Sequence, residues 1–315
     1  MPTTRIAQSA APRSQWIARC LTSCLLGLSL IGLPAHANES AANAAYAAKD
    51  YNTALQGYTD AANAGSATAA NNLGRMYELG LGTPVNYETA MQWYRRAANQ
   101  GLARAQTSIG YLYANARGVK RDYAKALYWY DKAAKQGFAQ AQSNIGTLYE
   151  YGRGVNADYA QAKRWYELAA NQDNLQAITN LGNLYALGRG VAKSDPTAVA
   201  HYRKAASKNF AAAQNNLGFM LAKGRGVGQS FEQARRFYGL AAQQGHALAQ
   251  YNLAQMLELG RGGAQDAAQA LRWYLKAADG GNRSAARRLV SVYTQGQLGQ
   301  TANAAQAARW REKAK

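Results

Sequence analysis

Cysteine is nearly missing: the 315 residues hold two, Cys20 and Cys24, both close to the start. Beyond them there is no thiol, so neither a disulfide framework nor a thiolate metal site can hold the chain together. Histidine is as scarce. After residue 37 only His201 and His246 remain, 45 residues apart and without a His/Asp/Glu cluster near either, and no metal is expected. His201 stands where other copies of a repeat carry tryptophan, as a packed substitute, and His246 follows Gly245 at a helix start, a surface position. Ser-x-x-Lys, Lys-Thr-Gly and Gly-x-Ser-x-Gly are all absent, which argues against serine acyl transfer. The carboxylates are scattered in helical phase and offer no glycosidase-like pair. No enzyme activity and no cofactor are expected. A cell-wall hydrolase is the remotest alternative.

Long apolar runs are also lacking. The stretch Leu21–Leu33 is thirteen residues, against the roughly 20 that a bilayer core requires. With Arg5, Arg13 and Arg19 before it and Ala35-His36-Ala37 after it, it reads as a secretory signal peptide over residues 1–37, cleaved after Ala37. Most of the run follows Cys24, which argues against a lipoprotein cleavage box. A periplasmic or secreted protein is therefore expected. Acidic residues are few, 17 against 36 basic ones, for a formal charge of +19. Basic residues concentrate at the C-terminal end, where Arg283, Arg287, Arg288, Arg309, Arg311, Lys313 and Lys315 face only Glu312. Export removes nucleic acid as the partner of such a surface. It leaves envelope anions such as phospholipid, lipopolysaccharide, acidic polysaccharide or an acidic protein.

What the sequence does have is a period. Gly74, Gly110, Gly146, Gly182 and Gly218 are spaced by 36 residues, with Ala254 and Val290 continuing the slot. A strict period in this range marks a solenoid, which presents a long surface and seldom a deep pocket. Around the glycine, Ala141, Ile145, Leu148 and Tyr149 fall at i, i+4, i+7, i+8, one apolar stripe on a first helix. A glycine inside that helix implies a neighbouring backbone too close for a side chain. Ala162, Trp165, Tyr166, Ala169 and Ala170 form the stripe of a second helix, and both the Trp and the Tyr are expected in the core. Between the two lie Gly152-Arg153-Gly154-Val155 and its copies, a helix C-cap and turn, and Asp122 or Asp158 supplies a cap for the second helix.

The string A-x-x-x-L-G-x-x-Y-x-x-G-R-G-V-x-x-D-Y-x-x-A-x-x-W-Y-x-x-A-A-x-Q-G resembles the Sel-one-like repeat, a relative of the tetratricopeptide repeat. The resemblance covers residues 67–315, as six good copies and a degenerate seventh. Residues 38–66 lack the G-x-G-V turn and are similar to a plain tetratricopeptide hairpin capping the N-terminal end. The resemblance implies an all-α, right-handed α/α solenoid of about eight helix pairs. It also implies a surface that binds proteins or peptides, often in bacterial envelope regulation or assembly.

Two ladders are candidates for binding. Asn72, Asn144, Asn180, Asn216 and Asn252 precede the Leu/Ile slot, with Ser108 and Arg288 interrupting. An amide donor and acceptor on the inner helix suits an extended peptide backbone on the concave face. Alternatively, each amide bonds a neighbouring helix and is structural. Arg117, Arg153, Arg189, Arg225 and Arg261 recur once per turn and would line one edge. An anionic polymer or membrane surface could track them, with an affinity that salt weakens. Alternatively, each guanidinium returns to the carbonyls ending its own helix.

Overall fold

The structure, a computed structural model, describes residues 35–315, so the expected signal peptide lies almost wholly outside the described residues. Sixteen helices follow one another, with no strand among the described residues. They are α1 (Ala35–Ala47), α2 (Tyr51–Asn63), α3 (Ala67–Leu79), α4 (Tyr87–Asn99), α5 (Ala103–Asn115), α6 (Tyr123–Ala134), α7 (Ala139–Tyr151) and α8 (Tyr159–Ala170). Then come α9 (Leu175–Leu187), α10 (Asp195–Ser207), α11 (Ala211–Lys223), α12 (Phe231–Gln243), α13 (Ala247–Glu258), α14 (Ala267–Asp279), α15 (Arg283–Gln295) and α16 (Ala304–Lys313). Each helix packs on the one before and the one after it, the contact pattern of a solenoid. None of these helices is long and apolar enough to cross a membrane.

Local chemistry sets the helix ends. The second helices α4, α6, α8, α10, α12 and α14 start at Asn86, Asp122, Asp158, Ser194, Ser230 and Asp266, each accepting a hydrogen bond from the backbone N–H three residues on. The first helices α3, α7, α9 and α11 end at a glycine in the left-handed region, Gly80, Gly152, Gly188 and Gly224.

The core differs from the sequence reading in two ways. The helix glycine makes room chiefly for an aromatic ring. A Cβ on Gly110 or Gly146 would lie 2.6 Å from the ring of Tyr130 or Tyr166, with the carbonyl oxygens of Ala126 and Ala162 next at 3.0 and 3.2 Å. The tyrosine and the tryptophan also part company. Tyr94, Tyr130, Tyr166, Tyr202, Tyr238 and Tyr274 are all buried, whereas Trp93, Trp129, Trp165 and Trp273 are half-buried at the margin of the core. His201, in the tryptophan slot, is likewise half-buried and stacks on Tyr185 at 5.7 Å.

The first hairpin shares this plan. Ala54, Tyr58, Ala61 and Ala62 of α2 are buried and repeat the spacing of Ala90, Tyr94, Ala97 and Ala98. Its inter-helix link of three residues replaces the seven between α3 and α4.

Candidate functional site

The first helices α3, α5, α7, α9, α11 and α13 present one outward row each. On it, positions one and five residues after the glycine slot carry Leu79, Tyr111, Tyr151, Leu187, Phe219 and Leu259, all exposed. Among the described residues these are six of the ten exposed large apolar side chains, so the exposed apolar surface there is concentrated on this face. Hollows between successive first helices join several of them, the first holding Leu79 and Tyr111. Another holds Leu187 and Phe219, and the next holds Phe219 and Leu259. Aligned exposed apolar side chains on a soluble surface mark contact with a partner.

Three rungs of the asparagine ladder, Asn144, Asn216 and Asn252, border hollows on the same face, whereas Asn180 is buried. Asn216 and Asn183 border the hollow of Leu187 and Phe219, and Asn252 borders that of Leu259. The amides also bond across units. Asn216 Nδ2 donates to Asn183 Oδ1 at 3.0 Å, where the Tyr202 hydroxyl donates too at 2.8 Å. Asn252 donates to Asn215 Oδ1 at 3.0 Å. Asn144 and Asn180 accept from Gln140 and Gln176 at 3.0 and 2.9 Å within their own helices, and Asn72 accepts from Asn71 at 3.5 Å.

The arginine ladder runs beside it, and its partners are not the carbonyls that end its own helix. Each guanidinium reaches back to the preceding unit. Arg117 pairs with Glu78 at 3.1 Å and lies over Tyr87 and Tyr111. Arg189 pairs with Glu150 at 3.5 Å and lies over Tyr159. Arg225 grips Asp195 through Nε and Nη2 at 3.0 and 2.5 Å and donates to the Ala186 carbonyl. Those bonds hold its guanidinium more firmly charged and keep the Asp195 carboxyl below the ordinary carboxylate value. Arg153 lies over Tyr123 and Tyr151, and Arg261 over Phe231; neither has an ion-pair partner among the described residues. The two ladders therefore share one surface, since Asn216 and Arg225 line a single hollow, as do Asn252 and Arg261.

A model of the Sel1 repeat matches seven consecutive segments, residues 67–102, 103–138, 139–174, 175–210, 211–246, 247–282 and 284–315. The chain belongs to the Sel1-repeat family. Among solved structures it is similar to a protective antigen of uropathogenic Escherichia coli with an SLR fold, at 35% identity and a TM-score of 0.61, over 89% of this chain and 61% of that one. It thus spans about three fifths of the antigen's length. A Sel1 repeat protein of Oxalobacter formigenes is 32% identical with a TM-score of 0.52, over 88% of this chain and 96% of that chain. An immunity protein of Pseudomonas aeruginosa, 20% identical with a TM-score of 0.51 over 67% of this chain and 80% of that one, shares the fold. No curated protein is similar enough to count as a match. Sel1 solenoids commonly serve protein–protein interaction and are in general not enzymes.

In three Sel1 units a further residue joins the face, four positions after the glycine slot, where the spacing motif names none. Glu78, Glu150 and Glu258 occupy it and accept hydrogen bonds from the hydroxyls of Tyr94, Tyr166 and Tyr274 at 2.7, 2.7 and 2.6 Å. In the sixth Sel1 unit Glu258 also binds Arg288, the residue that interrupts the asparagine ladder. Burial disfavours its charge, but the bonds from Arg288 and Tyr274 outweigh that and lower its pKa. The 36-residue register alone would have aligned these three glutamates as a slot. His246, expected at the surface, is half-buried and caps α13, its Nδ1 accepting from Ala249 N–H at 3.2 Å.

Proposed function

We propose that the protein is an exported, non-enzymatic scaffold that holds an extended segment of another protein along the face of its first helices. One observation carries this reading: the row Leu79, Tyr111, Tyr151, Leu187, Phe219 and Leu259 stays exposed while neighbouring amides offer hydrogen bonds beside it. Alternating apolar anchors and amides suit a peptide whose backbone needs partners and whose side chains need pockets. The relative from uropathogenic E. coli, 35% identical, is described as a protective antigen, which supports export here. The alternative, an anionic polymer tracking the arginine edge, draws less support, because Arg117, Arg189 and Arg225 already have acidic partners.

The test is capture from an envelope extract followed by variants. Leu187→Asp with Phe219→Asp should abolish capture while melting stays near wild type. Tyr128→Asp with Leu168→Asp, equally exposed but on second helices, should leave capture intact. Equal loss in both pairs, or binding that vanishes with moderate salt, would favour the polymer. Export itself is tested by the intact mass of the exported form, expected to begin at Asn38. That cut would fall in the first turn of α1.

A further inference from the structure

The second Sel1 unit departs from its neighbours at two linked positions. Where the units after it carry Gln140 with Asn144 and Gln176 with Asn180, joined by hydrogen bonds of 3.0 and 2.9 Å, this one carries Arg104 and Ser108. Ser108 is too short to bridge units and spends its hydroxyl on the Arg104 carbonyl of its own helix at 3.1 Å. Farther along the stack, Asn252 crosses to Asn215; the corresponding acceptor here, Oδ1 of the buried Asn71, has no partner. The missing amide leaves space. The hollow between α3 and α5 measures about 450 Å³, against about 320 Å³ beside Asn144 and about 190 and 160 Å³ beside Asn252 and Asn216.

The space is also charged. Arg75, Arg104 and Arg117 line it with a single acid, Glu78. That carboxylate is already engaged by Arg117 and by the Tyr94 hydroxyl. Arg75 and Arg104 are exposed and have no ion-pair partner among the described residues. A guanidinium pair facing an open hollow recognises a carboxylate through charge-assisted, planar hydrogen bonds. The orphaned amide beneath asks for an N–H donor as well. A residue that supplies both is an acidic one within a peptide.

We infer that the hollow between α3 and α5 is a specificity pocket for an aspartate or glutamate side chain of the bound segment, created by replacing the Gln–Asn pair with Arg104 and Ser108. This rests on the reading of the first-helix face as a peptide groove. It adds the register, because an acidic residue seats at Ser108 and apolar residues follow toward Leu187 and Phe219.

The test uses the full chain labelled with ¹⁵N-arginine. It is titrated with N-acetyl-glutamate methylamide, with the glutamine analogue, and with inorganic phosphate. The Nε–H resonances of Arg75, Arg104 and Arg117 should shift saturably with the glutamate probe and stay put with the glutamine one. Arg75→Gln with Arg104→Gln should weaken that binding roughly tenfold or more, and Arg153→Gln should not. Ser108→Asn should refill the ladder, weakening the probe to a similar extent while raising the melting temperature by roughly 1–4 °C. Shifts spread over all arginines, phosphate binding as tightly as the glutamate probe, or undiminished binding by Ser108→Asn would each overturn the assignment. So would a captured partner that tolerates Arg75→Gln with Arg104→Gln yet is lost on Leu187→Asp with Phe219→Asp. In that case the groove stands and the acidic pocket falls.

Discussion

Trp165 and Tyr166 are adjacent in sequence and meet different environments. Consecutive residues on a helix point about 100° apart, so a stripe of ordinary width admits both, and only the neighbouring helix decides which one enters. The glycine at 146 opens a socket that Tyr166 fills, with its hydroxyl donating to Glu150, itself 5% exposed. Burial and the adjacent Glu150 charge push that phenol well above the ordinary tyrosine value, so it remains a donor. Tyr166→Ala should then cost about 3–5 kcal/mol, and Trp165→Ala, half-exposed already, about 1–2. Chemical denaturation of the two variants checks the order, and equal losses would contradict the socket. His246 makes a second residue-scale case. Burial lowers its pKa below the ordinary 6.5, as it does for His201. A lowered histidine pKa means that the unfolded chain binds more protons, so stability rises with pH. The contribution is present above pH 6.5 and is lost as pH falls through the folded value. Protonation of the cap would also cost α13 the acceptor for Ala249 N–H. His246→Asn keeps an acceptor that does not titrate. It should reduce, though not abolish, the drop in melting temperature between about pH 7.5 and 5.5, with His201 supplying the remainder. An unchanged drop would contradict the cap.

Among the elements, the turn after each first helix does two jobs, and its two glycines divide them. Gly188 and Gly190 have φ of 67° and 65°, so alanine is strained at either. Their surroundings differ. A Cβ at Gly188 would stop 3.1 Å from the Cβ of Lys193, a side chain able to give way. A Cβ at Gly190 would lie 2.5 Å from Tyr159 Cβ and 2.9 Å from its carbonyl carbon, at the first residue of α8 in the preceding unit. Gly188→Ala should therefore cost about 1 kcal/mol and Gly190→Ala distinctly more, about 2–3, with melting curves as the measure. The caps and the turn were legible in the sequence because each follows from residues within one 36-residue window. The partners of Arg117, Arg189 and Arg225 were not. They lie 30 to 39 residues back, across an interface that the spacing of a single motif does not describe. The row of Leu79, Tyr111, Tyr151, Leu187, Phe219 and Leu259 was hidden differently. It is split between two slots, and the polar Asn115 and Lys223 interrupt one of them just where Tyr111 and Phe219 appear in the other. For the asparagines, sequence placed Asn216 and Arg225 on rival ladders, whereas they border one hollow.

At the level of the whole molecule, cohesion is local in space as well as in sequence. The helices touch mainly their chain neighbours, so stability is close to a sum of units and the interfaces between them. The arginine rungs belong to those interfaces: Arg225 ties the turn after α11 to Asp195 at the start of α10 and to the Ala186 carbonyl near the end of α9. Removing it should loosen one junction and leave distant ones alone. Arg225→Ala should accelerate amide hydrogen exchange in α9–α12 by severalfold, while α3–α6 exchange at the wild-type rate. A molecule folding as one cooperative block would instead spread the loss evenly over every helix, so uniform acceleration would refute the additive picture. Salt sharpens the comparison. In the wild type, moderate salt should weaken the junctions held by Arg117, Arg189 and Arg225 more than the second-to-third junction near Arg153, where a guanidinium rests on Tyr123 and Tyr151 without an acid among the described residues. Exchange that depends on salt at the paired junctions and not at Arg153 would identify the ladder as the stitching between units, the role that competes most directly with its use as a polymer track.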